Sequence, residues 1–292
     1  MLHNELHGSA RTFFRNLIIA TSLLTVSACG LSPLEIVEDA VEIIVDSNKG
    51  ATEVNNAAKV VVDILQDLDA TSLIHNLESE EAFDPSRLAL VDNVNGVLLF
   101  RSNLPAVLDP QNSKVVQSFD YDQLVSAMKQ VSAAQNVPFP DQPYIVDISL
   151  LNDVIEAQTL EVEQKFFENN PNLGEFINYP IFGALLPPND FPDSVANPVA
   201  INTPVDDLPN RVQNIRNMMQ NARPGSVFVV HCNRGQDRTG EVIGAYSIEF
   251  LGMTLDQYLA TATQDSGKAP NTLSQNGIKW FQRSQSLANN SN

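Results

Sequence analysis

The apolar run at residues 227–230 is followed at once by His231-Cys232-Asn233-Arg234-Gly235-Gln236-Asp237-Arg238-Thr239-Gly240. A short β-branched run, a polar turn with glycine and then a helix-compatible stretch at 239–251 make a strand, a tight turn and a helix, with Gly252 as the stop. That order places Cys232 at the carboxyl end of a strand and aims the positive end of a helix at it. That placement agrees with an α/β sheet that holds its ligand at the strands' carboxyl ends.

The residue types point to phosphate chemistry. Backbone N–H groups of a turn from Asn233 to Asp237 can wrap around a tetrahedral dianion. A cysteine at a helix N-terminus beside a cation is the setting in which the thiolate serves as nucleophile. Arg238 supplies a planar fork for two phosphoryl oxygens and keeps its charge, which a lysine would not reproduce. Thr239 stands where its hydroxyl can donate to the Cys232 sulfur, and Gly235 and Gly240 permit backbone shapes and close packing that a side chain would obstruct. His231 is expected to order the loop through hydrogen bonds; with no carboxylate adjacent in sequence, it is not expected to be a general base.

These ten residues resemble the signature loop of the cysteine-dependent protein tyrosine phosphatase superfamily. The Gly235-Gln236-Asp237-Arg238-Thr239-Gly240 ending resembles its dual-specificity-like bacterial and lipid-directed branches, and the late position of the loop is unlike the low-molecular-weight branch. A second segment, Phe100-Arg101-Ser102-Asn103-Leu104-Pro105, is similar to the Arg-Ser-x-x-Pro with which several such domains open. The resemblance covers about residues 85–288. It implies a phosphocysteine intermediate formed on Cys232, phosphate held by Asn233, Arg234, Gly235, Gln236 and Arg238, and no cofactor. Many members carry lysine where Gln236 stands, so substrate preference does not transfer.

The resemblance also implies a general acid on a mobile loop upstream, often after an aromatic-Pro pair. Phe191-Pro192-Asp193 has that form; Asp237, beside the loop arginine, is the rival, and Asp190 is a further candidate. Asp193 could equally cap a turn, and Asp237 could hold the loop by accepting N–H bonds.

The chain has 35 acidic and 17 basic residues, a formal charge of −18, which opposes binding to nucleic acid or to an anionic membrane face. Arg11 and Arg15 precede an apolar run at 17–26 that is too short for an ordinary membrane span, and Val26-Ser27-Ala28-Cys29-Gly30 resembles a lipobox. Residues 1–29 are therefore expected to be a lipoprotein-type signal, with Cys29 the lipidated residue and the mature chain held at a bacterial envelope membrane, facing the periplasm. Cys232 is then the one thiol left, with no disulfide partner in the chain. No cysteine-histidine spacing indicates a metal site.

Residues 30–84 are expected to be a helical spacer or cap, broken near Asn48-Lys49-Gly50, before a catalytic domain at 85–288. Within that domain, runs at 97–100, 144–148, 179–182 and 227–230 are expected as strands. Helices are expected at 121–134, 151–168, 206–222, 239–251, 255–263 and 272–283. The alternation implies a small, mainly parallel sheet flanked by helices, with the ligand at the strands' carboxyl ends. The proline-rich stretch 186–198 is expected to be an irregular lid. The expected partner is a phosphorylated protein or a small phosphorylated molecule. The alternatives are an inositol phosphate or phosphoinositide phosphatase, or a phosphate-binding envelope module with little turnover. A cysteine hydrolase of the acyl-transfer type lacks any histidine near the site beyond His75 and His231.

Overall fold

A computed structural model describes residues 81–153 and 156–290. The expected signal, Cys29 and most of the expected helical segment 30–84 lie outside the described residues.

Five strands form the central sheet, in the order β1-β2-β7-β5-β6. They are β1 (Ala89–Val94), β2 (Val97–Asn103), β5 (Tyr144–Ser149), β6 (Gly174–Asn178) and β7 (Ser226–Cys232). All pairings are parallel except the β1–β2 hairpin. A separate two-stranded ribbon joins β3 (Ala106–Asp109) and β4 (Asn112–Phe119). Every residue of β2 and β7 is buried, as strands covered on both faces require.

Alternation along the strands sorts side chains between two cores. Val146, Ile148, Phe228, Val230 and Cys232 face one core. There they meet α4 (Leu208–Gln220), α5 (Asp237–Leu251), α6 (Leu255–Ser266) and α7 (Thr272–Asn289). Ile145, Val227 and Val229 face the other, against Leu124 and Met128 of α1 (Tyr121–Ala134) and Phe167 of α2 (Ala157–Asn169). Each such buried aliphatic side chain contributes about 1.5–3 kcal/mol. His231 lies in the alternation with Val229, so it points away from the core that receives Cys232.

Three expectations are corrected. Residues 179–182 are not a strand: β6 lies just before them and ends at Asn178, whose amide donates to the carbonyls of Ser149 (3.1 Å) and Leu151 (3.0 Å), and Pro180 has no N–H for the ladder. The helix expected from 151 begins at Ala157, because the turn before it is used to present Glu156, whose carboxylate accepts the Asn152 N–H at 2.6 Å. The segment 186–198 is not irregular throughout: α3 (Asp193–Asn202) follows Pro192 and tolerates Pro198 inside it. Tertiary packing outweighs the proline there. Ala196 and Ala200 are buried, Phe191 packs on Trp280 at 5.9 Å, and Trp280 Nε1 donates to the Leu186 carbonyl at 2.8 Å.

Candidate active site

The loop that links β7 to α5 is held from outside, and the ties determine where its amides point. Asn233 O accepts from Leu104 N (3.3 Å), Arg234 O from Arg87 Nη1 (3.2 Å), and Gly235 O from Arg101 Nη2 (2.7 Å). In a planar trans peptide the N–H of the next residue points opposite to the carbonyl. Three successive carbonyls turned outward therefore turn the N–H groups of Arg234, Gly235 and Gln236 inward. At the end of the loop, α5 starts without a side-chain cap on its first N–H groups. Together these make an anion-binding concavity.

Gly235 makes the loop possible. Its φ is +66°, and a Cβ there would lie 2.4 Å from Ser102 O and 2.5 Å from Asn103 N, inside the end of β2. Gly240 allows a second close approach, since a Cβ would meet Pro270 Cγ at 2.4 Å.

Cys232, the last residue of β7 and the one just before this loop, stands opposite Asn103 in the β2–β7 register and is only 3% exposed. Arg238, on the first turn of α5, is clamped by Glu156. Nη1 donates to Oε2 at 2.6 Å and Nη2 to Oε1 at 2.8 Å, while Nη1 also reaches the Leu150 carbonyl at 3.3 Å. Asn233 Nδ2 donates to the same Glu156 Oε1 at 2.6 Å. Glu156 thus gathers donors from the loop, from α5 and from its own turn, and fixes the plane of the guanidinium. Its carboxylate is buried, so the pair's value lies in geometry more than in net stability.

The remaining sequence candidates fall into different places. Arg234 Nε pairs with Glu81 at 3.1 Å. Gln236 Nε2 donates to Ser266 O at 2.7 Å, which turns it toward the end of α6. Asp237 accepts from Asn271 N at 2.8 Å and pairs with Lys268 at 3.2 Å. Thr239 Oγ1 is buried with no hydrogen-bond partner among the described residues, so the expected donation to the Cys232 sulfur is not made here. His231 does not order the loop by hydrogen bonds: its Nε2 faces Asp147 Oδ1 at 3.0 Å and Glu163 Oε2 at 3.9 Å on the opposite side of the sheet. Asp193 stands at the start of α3, where its 81% exposed side chain meets Arg283 at 2.5 Å. Asp190 lies in the short turn before it.

Sequence reasoning missed Glu156, and it identified Arg101 only as part of a similar segment. Arg101 is fully buried and bridges Gly235 O to the Tyr258 hydroxyl (3.3 Å), which in turn donates to Gly240 O at 2.7 Å. It also missed a buried acidic contact behind α5. Burial pushes the Glu241 carboxyl well above its ordinary value, and the neighbouring Asp206 charge adds to the effect. Asp206 is raised chiefly by burial as well, against the opposing pull of the Gly183 and Phe182 N–H groups that it accepts at 2.7 and 3.1 Å. The signal available for Glu241 was an acid on the inward face of an apolar helix. Nothing local marked Glu156.

Among the described residues, one group has metal-ligating composition: Asp147, Glu163 and His231, all buried.

No family model and no curated protein matches the chain. Solved structures that align with it include PTPMT1 (12% identity, 70% of this chain and 99% of that one, TM-score 0.38). Tk-PTP in the active form aligns at 14% identity over 65% of this chain and 92% of that one, TM-score 0.35. TpbA of P. aeruginosa, crystallised with pTyr, aligns at 16% identity over 73% and 97%, TM-score 0.32. At these values the likeness assigns no residue a role, and the roles rest on the geometry above.

Proposed function

We propose that the chain is a phosphomonoester hydrolase of the cysteine-dependent tyrosine phosphatase type. The observation that carries this reading is the outward tie of three consecutive loop carbonyls above Cys232, with Arg238 clamped beside them. A core thiol needs no ring of inward amides.

The reaction follows from the positions. The Cys232 thiolate attacks phosphorus, the S–P bond forms, and the P–O bond to the leaving group breaks. Inward N–H groups and Arg238 stabilise the equatorial oxygens, the main catalytic contribution expected of such a site. The leaving oxygen takes a proton from a carboxylic acid. Water then attacks phosphorus, its proton passes to the carboxylate, and the S–P bond breaks to release phosphate. We assign the acid to Asp193. Both oxygens of Asp237 already serve Asn271 and Lys268, which supports a loop-holding role for it, whereas Asp193 is exposed and pairs with Arg283 through one oxygen. Asp193 acts after leaving Arg283.

The substrate class we favour is a protein phosphomonoester, phosphotyrosine or a dual-specificity set. Three cations at the loop have a carboxylate partner, Arg238 with Glu156, Arg234 with Glu81 and Lys268 with Asp237, while Arg101 lies buried behind Gly235. Inositol phosphates and phosphoinositides, the alternative, call for additional positive charge. We further propose a lipid anchor on Cys29 and an envelope location, on the strength of the Val26 to Gly30 pattern. Loss of radiolabelled lipid in Cys29→Ala would support the anchor, and its retention would remove it.

The deciding experiment is phosphate release from a small aryl phosphate by the full chain in detergent, compared with Cys232→Ser. Turnover by wild type alone, with the variant slowed by roughly 10⁴-fold or more, is expected. Equal rates would remove the thiolate mechanism, and no turnover by folded protein with reduced Cys232 would leave a phosphate-binding module.

A further inference from the structure

We propose that Asp206 and Glu241 are a positioning pair for the phosphate site: one proton held between their carboxyls ties the segment 179–183 to α5 and so keeps Arg238 in its binding place. The inference rests on the phosphatase reading of the loop and gives that site a proton-dependent support.

The contacts form a closed ring around the first turns of α5. Leu150 O accepts from both Arg238 Nη1 (3.3 Å) and Ile181 N (3.4 Å), so the guanidinium and the segment after β6 share one anchor. The next two N–H groups of that segment, those of Phe182 and Gly183, donate to Asp206 Oδ2 at 3.1 and 2.7 Å. Asp206 lies beside Glu241, and Glu241 stands about one helical turn after Arg238 on α5. The ring therefore returns to the residue from which it began. Its last link depends on a proton, because two ionised carboxylates repel.

The surroundings favour that proton. Glu241 is fully buried, and α7 closes over it so tightly that a Cβ on Gly277 would overlap Glu241 Oε1. Among the described residues, the groups that face the pair are Arg211 from α4 and the Ser274 hydroxyl from α7. Arg211 Nη1 donates to the Pro180 carbonyl, and its guanidinium lies over the Tyr179 ring, so it too holds the segment 179–183. Its single positive charge leaves one of two carboxylates to be neutralised. Burial raises both carboxyls, Glu241 the more, and the Asp206 charge adds to the rise in Glu241. Glu241 thus keeps the proton and donates to Asp206, which as a carboxylate also accepts the Phe182 and Gly183 N–H groups. The backbone is bent to make this meeting: Asp206 and Asp207 both have left-handed φ, +51° and +52°, a strained shape for residues other than glycine that the packing sustains.

The test uses sulfate, which stays a dianion as pH rises, and the full chain in detergent carrying Cys232→Ser, so that neither turnover nor the thiolate enters. Sulfate affinity is expected to fall roughly fivefold or more from mildly acidic to alkaline pH. Infrared spectra are expected to show the carbonyl stretch of a neutral carboxylic acid, which disappears over the same span. With Glu241→Gln added, whose amide donates to Asp206 at every pH, that band is expected to be missing and the affinity to stay level. Should this variant fail to fold, Asp206→Asn, which removes the repelling charge, is expected to level the affinity as well, and the coincidence of the two titrations in the parent protein needs no variant. A neutral-pH spectrum without the band, a level affinity in the parent, or an equal fall with Glu241→Gln would overturn the pair's role while leaving the phosphate site in place. Protein that binds no sulfate at any pH would overturn the phosphate reading, and this role with it.

Discussion

The loop after Cys232 and the segment that carries Asp193 both keep charged side chains in ion pairs, yet the pairs have opposite characters. Arg238 and Glu156 are 10% and 2% exposed at the side chain, share two hydrogen bonds, and are tied further to Asn233, Asn152 and Leu150. Asp193 is 81% exposed and meets one guanidinium, which also serves Asn197. An exposed pair is worth about 0–1 kcal/mol, whereas breaking a buried one costs about 3–5 kcal/mol. On the proposed mechanism, the groups needed before substrate arrives are the fixed ones, and the proposed acid, which has to travel, is the loosely held one.

The largest effect on stability is expected from breaking the rigid side. Glu156→Ala leaves Arg238 without its clamp and should lower unfolding free energy by about 3–5 kcal/mol and slow phosphate release roughly hundredfold. Denaturant unfolding of the variant checks this, and a loss under about 1 kcal/mol would remove Glu156 from the centre of the account. On the movable side, Asp193→Asn should slow turnover by roughly 10²–10⁴-fold, abolish the basic limb of the pH–rate profile, and leave the unfolding midpoint alone. If Asp237→Asn abolishes that limb and Asp193→Asn does not, the assignment of the acid is reversed.

A pH effect tests the buried carboxyls behind α5. Glu241 has an ordinary value of 4.5 and is held well above it when folded, so the native protein keeps a proton that the unfolded chain releases. That contribution is complete below pH 4.5 and disappears as pH rises through the folded value. Thermal midpoints of wild type should fall over that rise, and Glu241→Gln should flatten the fall. Equal slopes would mean that the pair is not coupled to folding. The smallest effect belongs to Arg283→Ala, which should change stability by no more than about 0.5–1 kcal/mol while speeding amide exchange in α3. Unchanged exchange there would mean that Arg283 does not restrain the segment.

Much of the site was legible because its chemistry is local. Cys232, the loop, Arg238 and the Gly252 stop lie within one strand-turn-helix unit, and the parallel sheet follows from the spacing of β-rich runs. What was hidden depends on distance in sequence. Glu156 sits 82 positions from Arg238, and a lone glutamate before a helix carries no local mark. The carboxylates that face His231 arrive on β5 and α2, which adjacency in sequence could not show. The strand expected at 179–182 and the irregular lid were misread because composition was weighed without its packing partners, Asn178 in one case and Trp280 in the other.

The outward ties of the loop also set the order in which the enclosure around Cys232 can form. Gly235 is held by a residue 134 positions earlier and Arg234 by one 147 earlier, while Tyr258, which completes the bridge, follows the nucleophile. Contacts of such separation form late, after the chain has closed its largest loops. A ribosome that has just released Cys232 has made the thiol but not the enclosure around it. The enclosure is complete only once α6 has docked, because Tyr258 joins Arg101 to Gly240.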